Sequence, residues 1–456
     1  MRPSIIRIID IFLAAAFIAA AMPAQAQVEQ ASAARPAEYM IYQYPAVSLV
    51  VVVDVRESEF DTRILGPEGV LLGEAGIASR RIGPVYQFIE AVSTPRQLMI
   101  EVNPSQPIER SRINMELLQL PDSDRNARSL ARAYRFLAHG MKRVHTDTTA
   151  TWAERTYSLR NAAQAFGALG MEEMRLWSEY YATHLVLYEI GDVLLAMERA
   201  ANVRQETRRA GFERIELATL LLEADALMMA GDRAKGDQAL ARYESAHGAW
   251  EGAAALAGGQ GLEAERGRAL FNDGLAYERQ GRLERAIERY EQALDVTSDA
   301  SDPDLLNRIR ATTAAAYEAR GSTSGAISLL DDIAGDLSGG EEQAAALELA
   351  RNLYEKGRLL NDTFRFREAE PELQRALDMQ KLHLEDGQWG LVGLELGWAR
   401  YSLGLLEAAE AVIRESLPRT PRGRREAKAR AHGVMAQVAG QRGDFELASE
   451  HRAVQG

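Results

Sequence analysis

Leu270-Phe271-Asn272-Asp273-Gly274-Leu275-Ala276-Tyr277-Glu278-Arg279-Gln280-Gly281-Arg282-Leu283-Glu284-Arg285-Ala286-Ile287-Glu288-Arg289-Tyr290-Glu291-Gln292-Ala293-Leu294 is the stretch that decides the fold of this 456-residue chain. Strong helix formers flank one interruption, Gly281, whose freedom to adopt positive φ suits the end of a first helix. Beyond it, Ala286, Tyr290 and Ala293 fall at i, i+4 and i+7, one stripe facing a neighbouring helix. Gly274 and Ala286 are small enough for two antiparallel helices to approach closely.

The same frame returns at Tyr317, Gly321, Ala326 and Leu330, then at Gly357, Ala369, Leu373 and Ala376 with Phe364 in place of the turn glycine. It returns again at Gly397, Gly404, Ala409 and Ile413, and at Gly443 and Ala448. The small residue after each turn is Ala196, Gly236, Ala286, Ala326, Ala369, Ala409 and Ala448, with steps of 40, 50, 40, 43, 40 and 39. A ladder of this kind is the signature of a repeat architecture. The unit resembles the tetratricopeptide repeat, whose hallmark positions fall at Gly274, Tyr277, Ala286, Tyr290 and Ala293; Asp273, where that family prefers Leu, departs from it. A period near 40 also fits HEAT repeats, but the Gly–Tyr–Gly–Ala–Tyr order favours long tetratricopeptide hairpins. The step of 50 is expected to absorb a loose segment, Gly248–Gly261.

The fold expected is mainly α, a right-handed α-solenoid of about seven or eight tetratricopeptide-like helix hairpins in all, with the repeats proper over 191–456 and a short polar helix, Asp444–Val454, at their end. A helical transition, 122–190, precedes it, with segments Asp122–Asp147, Thr151–Leu169 and Met171–Ile190. Before Pro121 the pattern changes to short runs rich in Val, Ile and aromatics. Val47–Val55, Phe60–Leu65, Val85–Glu90, Leu98–Val102 and Ile113–Leu120 are strand candidates, so 39–121 is expected to be a small β-sandwich-like domain. Residues 27–38 read as a linker. Residues 1–26 read as a signal peptide: Arg2 and Arg7 precede the apolar run Ile11–Ala21, and Ala24-Gln25-Ala26 offers a cleavage site. The run is shorter than the ~20 residues that span a bilayer. Export is therefore expected, to the periplasm or beyond the cell, with no membrane span after cleavage.

With Lys+Arg 53 against Asp+Glu 66, a net −13, the chain lacks the basic footprint of a general nucleic-acid binder. With no Cys it supplies no disulfide, thiolate zinc site or cysteine nucleophile. The order of leader, small β domain with the FDTRILGPEG strand and turn, and long repeats resembles the N-terminal part of secreted bacterial CHAT-domain tetratricopeptide proteins. In that family a caspase-like domain follows the repeats; its His–Cys pair has no residues to map onto here, and the resemblance implies no protease activity for this chain.

Chemical motifs are few. There is no Walker A sequence, HExxH or GxGxxG after a strand. Gly321-Ser322-Thr323-Ser324-Gly325 lies at a repeat turn rather than after a strand, which disfavours a nucleophile elbow. Seven histidines, His139, His145, His184, His247, His383, His432 and His451, are scattered, and no metal or cofactor is expected. Asp54, Glu57, Glu59 and Asp61 read as a solvated turn better than a calcium loop, and Asp299, Asp302 and Asp304 as a helix start. Six residues before the small residue of each first helix stand Arg268, Arg308, Arg351, Leu391 and Arg430. Four arginines in one register offer bidentate forks for carboxylates, so an acidic or C-terminal peptide fits the concave face; the competing reading pairs them with local acids such as Glu265, Asp304 or Glu348. Phe271, Tyr354, Trp398 and Tyr401 are aromatic anchors on the same face or core residues.

These features point to an exported non-enzymatic scaffold binding a protein or peptide. The alternative is an accessory subunit of a separately encoded caspase-like or other hydrolase. A hydrolase using Ser or Asp from loops near Gly248–Gly261 ranks third.

Overall fold

The computed structural model describes residues 37–56, 60–77, 83–104, 112–141, 149–297, 302–338, 343–383, 389–421 and 423–455. The leader, most of the linker, Glu57, Glu59, His145 and Asp299 lie outside them. The chain divides into two compact units, to Leu305 and from Leu306.

The first unit opens with seven antiparallel strands, β1 (Ala37–Gln43), β2 (Val47–Arg56), β3 (Phe60–Leu65), β4 (Leu71–Ile77), β5 (Val85–Ile89), β6 (Arg96–Pro104) and β7 (Arg112–Pro121). They form a four-stranded sheet, β1-β6-β3-β4, and a three-stranded one, β5-β2-β7. Two strands exceed the five the alternation marked. β1 begins inside the expected linker, with Ala37 and Glu38 already opposite Val102 and Glu101. β4 is disguised by Gly73 and Gly76, residues that weaken strand propensity. Gly73 is needed there, since a Cβ would stand 2.6 Å from Gln87 Oε1, and the Gln87 amide crosses between the sheets to donate to Thr62 O at 3.1 Å.

Leu49, Val50, Val51 and Val53 on β2 are all buried, so this strand is covered on both faces. Helix α1 (Arg125–Met141) supplies a third layer over the smaller sheet. Tyr134 packs on Tyr86 of β5 with ring centroids 5.9 Å apart, and Arg135 reaches Glu90 at 2.7 Å. Seven further helices complete the unit: α2 (Thr149–Ala168), α3 (Glu172–Leu185, continued by a π turn to Ile190), α4 (Val193–Ala210), α5 (Glu213–Arg233), α6 (Asp237–Gln260), α7 (Glu263–Arg279) and α8 (Leu283–Thr297). The β region is bolted to these helices. The Tyr181 hydroxyl donates to Pro84 O at 2.7 Å, and Asp54, 6% exposed, takes both Arg214 guanidinium nitrogens, at 2.6 and 2.5 Å. Asp54 is thus a buried partner of a helix, neither a calcium ligand nor part of a solvated turn.

The expected loose segment Gly248–Gly261 is the second half of α6. Ala246, Trp250, Ala253 and Ala257 form a fully buried stripe at helical spacing, and this burial outweighs the ~1 kcal/mol that each helical glycine costs. The long step in the ladder is therefore a longer hairpin, α5 with α6, closed by Gly261 at φ +67°.

The boundary falls in the first turn of α9 (Pro303–Arg320), and the second unit continues with α10 (Thr323–Leu337), α11 (Gln343–Asp362), α12 (Phe366–His383), α13 (Gly390–Ser402), α14 (Leu406–Ser416), α15 (Arg425–Gln441) and α16 (Phe445–Gln455). Asp302 caps α9 by accepting from Leu305 N at 2.9 Å. The repeat frame is physical in both units. A Cβ on Gly274 would lie 2.4 Å from the Tyr290 ring, one on Gly357 2.5 Å from Leu373, and one on Gly397 2.3 Å from Ile413. The small residue of each first helix thus admits the bulky residue sixteen positions later in the second. Gly281, Gly321, Gly404 and Gly443 all turn at positive φ, and Phe364 does so at φ +61° without glycine's freedom.

The departure at Asp273 also has an explanation. The side chain is 1% exposed and meets His247 Nδ1, with Arg289 Nε 2.7 Å from its second oxygen. His247 stacks on Tyr277 at 3.9 Å between ring centroids, and Arg289 also engages Glu251. A leucine at 273 would leave these polar groups without their carboxylate.

Candidate functional site

In the second unit the first helices α11, α13 and α15 lie side by side and carry polar and aromatic side chains. On α11, Arg351, Tyr354, Arg358 and Asn361 recur at helical spacing. Asn361 is buried and donates its amide to Glu395 of α13, at 3.0 Å to the backbone carbonyl and 3.1 Å to the carboxylate. Its own Oδ1 is buried without a hydrogen-bond partner. Arg430 of α15 approaches the same carboxylate at 3.3 Å.

Burial pushes the Glu395 carboxyl above its ordinary range, while the Asn361 hydrogen bond and the Arg430 charge act against that shift. The Tyr354 phenol is pushed up to about 12, mainly by burial and then by the negative charge of Glu395 and Glu355. Arg358 is occupied by Glu318, Glu355 and Asp362, at 2.8 to 3.1 Å.

Aromatic side chains continue this face. Phe364 meets Phe366 at 6.0 Å between centroids, Phe366 meets the edge of Trp398 at 6.2 Å, and Trp398 stacks on Tyr401 at 6.0 Å. The Tyr401 hydroxyl donates to Gln437 of α15. Phe364 is 77% exposed.

The residues singled out by register separate into groups. Arg351 and Tyr354 stand on α11, Trp398 and Tyr401 on α13 and Arg430 on α15; Tyr354, Trp398 and Tyr401 are half-buried and pack against the hydrophobic core, so their rings serve that core. Arg351 is exposed and has no ion-pair partner among the described residues, Arg308 on α9 is exposed, and Leu391 is half-buried. Arg268 belongs to the first unit, where it is largely enclosed and stands 3.6 Å from Asp302. Phe271, 4% exposed, packs against Tyr290 as a core residue of the α7–α8 hairpin. Arg268 pairs with Asp302 and Arg430 with Glu395, so two of the four arginines face local acids.

Register alone missed Asn361, Glu395 and Gln437. An i+7 scan from Tyr354 to Asn361 finds the first, while the other two require knowledge of which first helices are neighbours. A separate polar cleft in the first unit is lined by Tyr157, Arg160, Asn161, Gln164, Arg175 and Glu179. There burial raises the Glu179 carboxyl against the opposing charges of Arg160, Arg175 and Arg199. No group of three or more His, Cys, Asp or Glu side chains arranged to hold a metal occurs among the described residues. Among these residues no helix is long and apolar enough to cross a membrane.

Among curated proteins nothing matches the chain. Solved structures with similarity include a Podosopora anserina chain of nearly identical TPR-like repeats, 20% identical over 41% of this chain and 94% of that one, TM-score 0.34. BtubC from P. vanneervenii is 17% identical over 50% and 90%, TM-score 0.38. Aspartyl phosphate phosphatase F from Bacillus subtilis is 13% identical over 65% and 72%, TM-score 0.42. Residues 267–299, which hold most of α7 and all of α8, match the tetratricopeptide repeat family, and that hairpin is a tetratricopeptide repeat in sequence as in structure.

Proposed function

We propose that the chain is an exported, non-enzymatic scaffold that binds a protein or peptide across the α11–α13–α15 face. The observation that carries this reading is the α11–α13–α15 face itself, where Asn361 and Arg430 hold the Glu395 carboxylate between neighbouring helices and Arg351 stands exposed on the same helix as Asn361. Asn361 is enclosed and acts by positioning Glu395 rather than by meeting the ligand itself. Arg351, exposed on α11, favours an acidic segment in the ligand, whereas Arg268 and Arg430 already face carboxylates. Export rests on the leader-like sequence 1–26. The resemblance to the N-terminal part of CHAT-domain proteins supports a second reading, an accessory subunit for a separately encoded hydrolase, because a β region leads into the repeats here too.

Binding of a random peptide library, with free and amidated C-termini, to purified full chain tests the proposal. Enriched peptides are expected to lose about tenfold in affinity, roughly 1.4 kcal/mol, in Asn361→Leu and in Arg351→Glu. They are expected to bind Arg285→Glu, a variant of an exposed α8 residue, unchanged. Affinity indifferent to both face variants, or turnover by the chain itself, would overturn it.

A further inference from the structure

His432 on α15 and His451 on α16 are nineteen residues apart in sequence, yet the hairpin points their Nδ1 atoms at each other across 3.0 Å. The ring centroids are 5.3 Å apart and the planes are inclined by 39°. Both rings are half-buried. Both therefore stand at the α15–α16 contact rather than in open solvent. At this distance one Nδ1–H donates to the other ring's bare Nδ1.

The same geometry suits a metal ion. Imidazole nitrogens sit at ~2.0–2.1 Å from Zn²⁺, and a tetrahedral angle then separates two of them by about 3.3 Å, a few tenths of an ångström from the distance observed. We infer that His432 and His451 form a two-imidazole site for a borderline divalent transition-metal ion, Cu²⁺ or Zn²⁺, that pins α16 to α15. On binding, the donor ring shifts its Nδ1 proton to its own Nε2, both Nδ1 lone pairs enter the metal, and no net proton is released. No third His, Cys, Asp or Glu side chain is grouped with the pair among the described residues. Water therefore completes the coordination, and the site is open and exchangeable rather than a closed structural centre. Neighbouring Lys428 opposes a cation, which limits affinity and gives the inference a sensitive test.

Calorimetric titration of the purified full chain with Cu²⁺ and with Zn²⁺ reads the site, and electron paramagnetic resonance of the Cu²⁺ form reads its ligands. One equivalent is expected to bind, with Cu²⁺ tighter than Zn²⁺ in the usual order and with hyperfine structure from two imidazole nitrogens; Mg²⁺ is expected to bind nowhere on the pair. His432→Ala and His451→Ala should each weaken that equivalent by at least about tenfold, because a remaining monodentate imidazole lacks its partner, while His383→Ala leaves it intact. Lys428→Glu removes the opposing charge one turn from His432 and should tighten binding, an outcome that damage to the fold does not mimic. Binding unchanged in both histidine variants, a one-nitrogen signal, or no tightening in Lys428→Glu would overturn the inference.

Discussion

Asp273 and Phe364 are the two residues at which this chain breaks its own repeat pattern, for different physical reasons. Asp273 replaces an apolar residue and organises a buried network with His247 and Arg289. Asp273→Leu is expected to destabilise the protein by about 1–3 kcal/mol, since it strands buried polar groups; urea unfolding measures this, and a more stable variant would contradict it. Phe364 holds a left-handed backbone that side chains with a Cβ disfavour by ~1 kcal/mol, and it remains 77% exposed. Phe364→Gly should therefore raise the midpoint of thermal unfolding slightly, whereas Gly404→Ala, at φ +78°, should lower it. The close approach at Gly274 was legible in the sequence because the frame placed Gly and Tyr on facing stripes. The partner of Asp273 was not, since His247 lies on the preceding hairpin and only the stacking of hairpins brings it near.

Elements show the same division between local and non-local information. Helix α6 was misjudged because glycine counts weigh heavily in sequence, while the alanine stripe that buries it declares itself only against α5 and α7. Strand β4 was missed because its glycines weaken the strand signal, while the contact that Gly73 makes with Gln87 comes from another strand. On α13, Glu395 is inconspicuous until α11 and α15 are known to flank it. Its raised carboxyl gives a signed expectation: between the ordinary carboxylate range and the higher folded value, the folded state keeps a proton that the unfolded chain releases. Its contribution is therefore fully present below that window and is lost as pH rises through it. The stability advantage of Glu395→Gln over the native chain should accordingly grow from about pH 4 to pH 7. A gap that shrinks over this interval would show that Arg430 and Asn361 outweigh burial.

At the scale of the molecule, the β region and the helices of the first unit share one set of buried contacts, through Asp54 with Arg214, Tyr86 with Tyr134, and Tyr181 with Pro84. Arg214→Ala strands a nearly buried carboxylate, and hydrogen exchange should quicken in β2 as well as in α5; a change confined to α5 would mean that the two fold independently. Repeat hairpins otherwise draw stability from their neighbours, and the α11–α13–α15 face combines half-buried aromatics with Glu395 held by Asn361 and Arg430. The most direct test of that account is hydrogen exchange of the full chain with and without a library-selected peptide. Protection concentrated on α11, α13 and α15, and absent in Asn361→Leu, is the result predicted. Protection confined to the β region or to the cleft lined by Tyr157 and Arg160, with this face unchanged, would contradict it.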